Sequence, residues 1–168
     1  MKTRVLVHLA LFLALAVVVN YLESFIPLPF VGVKLGLANA LGILVLYYYG
    51  AKYYAGFGVL RVLLSAVLWT GFGSAFLISL AGMILSSCFS LIVKSSKCCS
   101  IYGISIIGAI FHGIGQVIMV AILYSTIYLF SYVLVLTISG LVTGFIIAGL
   151  CVLLIKRLPI KTISYKEN

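Results

Sequence analysis

Residues 5–22 read VLVHLALFLALAVVVNYL, with Lys2 and Arg4 just before them and Glu23 just after. As a helix rising ~1.5 Å per residue, such a run approaches the ~30 Å hydrocarbon core of a bilayer. Its basic leader resembles that of a signal peptide. The run is nevertheless long for a signal-peptide apolar region and no small-residue cleavage site follows it, so it reads as a retained first membrane helix. Working outward, runs of the same kind recur at 35–49, 51–69, 75–93, 101–124 and 130–155, before a basic tail at 156–168. Pro27 and Pro29 cannot continue a helix and predict an extended, re-entrant loop between the first two runs. Gly50-Ala51-Lys52 and Gly71-Phe72-Gly73-Ser74 punctuate later turns, and 94–100 is the most polar internal loop.

The whole composition agrees with that first run. Of 168 residues 65% are hydrophobic and 8% charged, and Glu23 and Glu167 are the only acids, which leaves no Asp. A soluble globule of this length could not hide so much apolar surface. The expectation is an all-α integral membrane protein, one transmembrane domain over 1–168 with six crossings. No internal repeat or inverted symmetry stands out.

Charge fixes the orientation. On alternate loops Lys2, Arg4, Lys52, Lys94, Lys97, Lys156, Arg157, Lys161 and Lys166 fall on one side, Lys34 falls on the other, and Arg61 lies inside a run. By the positive-inside rule both termini are predicted to be cytoplasmic. The net charge of +9 flanks apolar segments instead of forming a stripe, which argues for anionic lipid and against nucleic acid. Cys88, Cys98, Cys99 and Cys151 lack metal-ligand spacing, and no metal or disulfide role is expected. There is no GxxxxGK[ST], HExxH or GxSxG motif, and without Asp there is no carboxylate cluster for magnesium; no cofactor is expected. The chain by itself is neither an ATPase nor a metal-dependent transferase.

Polar residues inside apolar runs need a reason. Arg61 falls near the bilayer midplane, where a charge costs at least ~2.5 to 3.5 kcal/mol on insertion scales. His112 lies at a similar depth, Gln116 one turn further out, Asn39 in the outer half of the second run, and Asn20 and Glu23 at the outer end of the first. Lys34 is the one base on that same side. Together Asn20, Glu23, Lys34, Asn39, Arg61, His112 and Gln116 form a candidate pocket for a small solute, clustered at one depth. The competing reading is that Arg61 bridges to Glu23 or to carbonyl groups while His112 and Gln116 merely tie helices together. Gly113 and Gly115 remove bulk beside them so that a partner or ligand can approach. Ala10 with Ala14, Ala109 with Gly113, and Gly140 with Gly144 are pairs of small residues one turn apart, of the kind that lets helices approach closely. The first pair is the candidate docking surface for another protein.

The run IPLPFVGVKLGLAN (26–39), the segment Leu60-Arg61-Val62-Leu63-Leu64, His112-Gly113-Ile114-Gly115-Gln116 and SGLVTG (139–144) resemble the Gx transporter family, also labelled heptaprenyl diphosphate synthase component I. The likeness extends from Leu9 to about Ile155. Gly113 stands where family members often have Asn, so any role of that Asn is missing here. The family is in turn similar to the substrate-binding S components of energy-coupling-factor transporters. That resemblance implies a bacterial plasma-membrane protein with six helices, an external pocket capped by the loop after the first helix, and an AxxxA motif docking an energy-coupling membrane protein that works with ATPase subunits. The synthase label implies instead a non-catalytic accessory subunit for a soluble prenyl diphosphate synthase subunit in menaquinone side-chain synthesis.

Overall fold

The computed structural model describes residues 3–26, 36–96, 99–125 and 132–158. They form six helices: α1 (Thr3–Glu23), α2 (Leu37–Tyr49), α3 (Ala51–Ser65), α4 (Ser74–Ser95), α5 (Ile101–Tyr124) and α6 (Tyr132–Arg157). A π turn, Ala66–Thr70, extends α3. Lys2, the prolines Pro27 and Pro29, Lys34, Lys97, Cys98 and the tail from residue 159 lie outside the described residues.

Five helices are long and apolar enough to cross a membrane: α1, α3 with its π turn, α4, α5 and α6. The second run yields only the 13 residues of α2, ~20 Å of helix. Unlike the others, α2 is sheathed in protein, with ten of its 13 residues buried, among them Leu44, Val45 and Leu46. A helix apolar on all sides belongs in such an interior. On the five long helices most residues of the apolar stretch remain uncovered, and Leu11, Val67, Ile122, Leu134 and Leu153 are more than half exposed. So continuous an apolar exterior has no counterpart in a monomer facing water.

Neighbouring helices α2, α3, α4, α5 and α6 pack in that order, and α6 returns to α2 to close a ring. The first helix lies in the groove between α2 and α3. The joint between α2 and α3 is the single residue Gly50, whose φ of 93° would strain any residue bearing a Cβ. Glycines also set the spacing of α4, α5 and α6. A Cβ on Gly115 would come within 2.8 Å of the Ala81 carbonyl oxygen, and one on Gly144 within 2.7 Å of Ile106 Cα. The pair Gly140 and Gly144 thus packs inside the bundle, against α5.

Hydrogen bonds at one end of the bundle show which termini meet there. His8 pairs with the Tyr49 hydroxyl at 2.8 Å, Lys94 Nζ donates to the Leu46 carbonyl at 3.0 Å, and the Tyr48 hydroxyl donates to the Leu158 carbonyl at 3.3 Å. The ammonium of Lys94 thereby satisfies one of the carbonyls that the C-terminus of α2 leaves open, at the negative end of its dipole. Arg4, Lys52, Lys94, Lys156 and Arg157 all sit at this end, so Arg61 is the only described Lys or Arg away from it. Aromatic side chains gather at both ends: Tyr47, Tyr48, Tyr49 and Tyr53 at the basic end, and Tyr21, Phe25 and Trp69 at the other. Amphipathic rings favour the two interfaces of a bilayer in this way.

Candidate functional site

The polar residues singled out for their insertion cost come from segments far apart in sequence. Asn20 and Glu23 end α1, Asn39 sits in the first turn of α2, Arg61 lies midway along the rod of α3 and its π turn, and His112 and Gln116 stand one turn apart on α5. All six line one cavity of about 130 Å³. Lys34, the seventh, lies outside the described residues. At ~10 to 15 Å³ per water molecule the cavity has room for about ten waters, or a solute with roughly that many non-hydrogen atoms.

Its walls draw on every helix. Glu23, only 6% exposed, turns its carboxylate across the gap between α1 and α2, and Oε1 accepts from the Leu37 backbone N–H at 2.6 Å. That contact caps α2, whose first residues have no side-chain cap of their own, and sets a negative charge at the positive end of the helix dipole. The Glu23 charge also acts on Arg61 across the same wall. Asn20 Nδ2 donates to Ser65 Oγ at 3.2 Å and ties α1 to α3. Glu23 and Asn20 therefore hold helices together as well as facing the cavity.

The π turn shapes the mouth of α3. The Gly71 N–H bonds to the Ala66 carbonyl five residues back at 2.9 Å, which widens the last turn. Thr70 then lines the cavity together with Ser65, and its hydroxyl donates to the Ser65 carbonyl at 3.3 Å. On the far side, His112 and Gln116 are pressed against α4. A Cβ on Gly82 would fall 2.9 Å from Gln116 Cγ and 2.9 Å from the His112 carbonyl oxygen. Gly113 meets Leu136 of α6 and Gly115 meets the α4 backbone, so the bulk removed beside His112 admits neighbouring helices, with Gly113 also lining the cavity.

A second, far smaller cavity of about 10 Å³ lies on the other side of Asn39, Arg61 and His112, walled by Tyr54, Met83, Ser86 and Ser87. It has the size and polarity to hold a single water. Arg61 thus stands between a solute-sized space and a water-sized one.

Hydroxyls are what the sequence reading missed. Ser65, Thr70, Ser79, Ser105, Ser139 and Thr143 all line the main cavity. The signal lay in SGLVTG, whose spacing puts Ser139, Gly140, Thr143 and Gly144 on one face of α6. Among the described residues no group of three or more His, Cys, Asp or Glu side chains could hold a metal ion.

Ala10, toward the basic end of α1, and Ala14, at its middle, do not line the cavity, and both are exposed. Val5, Phe12 and Ala16 on the other face of that helix are buried, as is Val17, one turn beyond Ala14. The alanine pair thus belongs to the outer surface of the bundle.

A family model described as heptaprenyl diphosphate synthase component I matches residues 12–154. No curated protein and no solved structure matches the chain.

Proposed function

The chain belongs to the heptaprenyl diphosphate synthase component I family, and from that premise and the geometry above we propose that it is a membrane solute-binding component. It takes up a small molecule with an anionic or polar head group. One observation carries this reading: six polar residues chosen only because they are costly in a membrane line one solute-sized cavity. Arg61 faces the head group, and Asn39, His112 and Gln116 orient it. The bundle works as one transmembrane domain in a bacterial plasma membrane, with six crossings and both termini in the cytoplasm. The gathering of Arg4, Lys52, Lys94, Lys156 and Arg157 at one end supports that orientation. In the manner of an S component of an energy-coupling-factor transporter, the exposed Ala10 and Ala14 dock a membrane coupling protein served by ATPase subunits.

A second reading rests on the family description itself: a non-catalytic membrane subunit that anchors a soluble prenyl diphosphate synthase subunit. A cavity of about 130 Å³ is too small to enclose a heptaprenyl chain, so under this reading the prenyl product would sit elsewhere. Purification of the tagged chain from its native membrane separates the two. A coupling protein with ATPase subunits, together with a retained small solute, supports uptake. A stoichiometric soluble prenyltransferase and an empty cavity support the anchor.

A further inference from the structure

The walls of the main cavity carry a definite pattern of donors, acceptors and charge. Its only formally charged described side chains are Arg61 and Glu23, one of each sign. Wall charges that cancel in this way disfavour a ligand with net charge, because its excess would lose water on entry without gaining a countercharge. The guanidinium nevertheless offers up to five donors and no acceptor, which suits a carboxylate or another planar anion.

Opposite α3, the hydroxyls that α5 and α6 bring to the cavity have the reverse character. Ser105, a residue only 1% exposed, donates through Oγ to the Gly144 carbonyl at 2.8 Å; Thr143 Oγ1 donates to the Ser139 carbonyl at 2.9 Å; and Ser139 Oγ donates to the Leu136 carbonyl at 3.0 Å. A carbonyl can only accept, so each hydroxyl has committed its single hydrogen to the backbone. What remains to face the cavity is lone pairs. The α6 hydroxyls accept and do not donate, and they need N–H or ammonium groups from whatever fills the space, while Gln116 and His112 on α5 keep donors of their own beside them.

We infer that the solute is a small zwitterion of roughly ten non-hydrogen atoms, with its anionic group on Arg61 and its protonated amine on the hydroxyl wall of Ser139 and Thr143. This inference rests on the cavity being a solute site and names the class of solute it takes. Net neutrality satisfies the paired wall charges, and the separation of charge within the molecule matches the separation of the Arg61 guanidinium on α3 from the acceptor hydroxyls on α6.

The test uses the full chain in lipid nanodiscs and sets of size-matched probes on aromatic, cyclohexyl and linear skeletons. One set is 4-(aminomethyl)benzoate, 4-methylbenzoate, 4-methylbenzylamine and 4-methylbenzyl alcohol; affinities are read by calorimetry. In at least one set the zwitterion should bind tenfold or more tightly than each of its partners. Thr143→Val, which keeps the shape and removes the lone pairs, should erase most of that advantage while leaving binding of the acid alone unchanged; Ser139→Ala provides an independent check. If probes bind but in no set does the zwitterion lead each of its partners by tenfold, the substrate class is wrong and the solute-binding reading stands. If no probe of any class binds, the solute-binding reading falls with it.

Discussion

Replacing Arg61 with Leu separates a binding role from a structural one, because the two roles move different observables. At ~4 Å and an effective dielectric constant of ~20, an anion on the guanidinium gains about 4 kcal/mol of Coulomb energy. Desolvation of both groups offsets much of it, and charged hydrogen bonds retain about 1.5 to 3 kcal/mol net. Loss of Arg61 should therefore weaken a zwitterionic or anionic probe roughly 10- to 150-fold. Membrane insertion moves in the opposite direction, since exchanging Arg for Leu at a helix centre is favourable by about 3 kcal/mol on the insertion scale. Glu23 keeps its bond to the Leu37 N–H in the variant, so one contact that holds the carboxylate does not depend on Arg61. We predict wild-type or higher yield of monodisperse Arg61→Leu protein in detergent, with affinity per folded molecule collapsed. Size-exclusion yield, a thermal melt and calorimetry on the same preparation make the comparison. A melting temperature several degrees lower, with unchanged affinity per folded molecule, would refute the reasoning and make Arg61 a structural tie.

Three further perturbations follow from the contacts. Glu23→Ala removes the acceptor that caps α2 and should lower stability by about 1 to 2 kcal/mol, while Glu23→Gln, which keeps an oxygen for the Leu37 N–H, should lose clearly less; equal melting of the two variants would show that the cap contributes nothing. Gly82→Ala drives a methyl to within 2.9 Å of Gln116 Cγ and the His112 carbonyl and should destabilise by about 1 to 3 kcal/mol, weakening probe binding through displacement of α5; a variant that melts and binds as wild type would mean that the helices part without consequence. The Ala10→Trp, Ala14→Trp double variant changes only exposed positions, so its melting and probe affinity should be those of the wild type while copurification of a membrane partner is lost; recovery of the intact complex at normal yield would return the pair to ordinary lipid-facing surface.

The part of the site that was legible in the sequence is the part that is energetically conspicuous. Arg61, His112 and Asn39 interrupt apolar runs, and a polar group in hydrocarbon has few explanations, so insertion cost alone led to a common cavity. Ser105, Ser139 and Thr143 escaped because a hydroxyl that bonds its own or a neighbouring helix backbone is inexpensive in a membrane and leaves no mark in hydropathy. Gly82 escaped for a related reason: its importance is the approach of His112 and Gln116, a fact about packing between helices. The π turn after Ser65 escaped because apolar periodicity reads 51–69 as one unbroken helix, whereas the shortness of α2 was already visible in the run 35–49. Glu23 was read as a pocket residue, yet its bond to Leu37 joins residues 14 apart across a linker, and only the fold brings them together.

The central claim is that the polar cavity around Arg61 holds a small solute, and native mass spectrometry of the chain released from its own membrane tests it most directly. The account predicts a bound species with about ten non-hydrogen atoms on the wild-type protein, absent from Arg61→Leu protein prepared in parallel. Wild-type protein that carries no small molecule and instead holds a soluble prenyltransferase at one-to-one stoichiometry would contradict it.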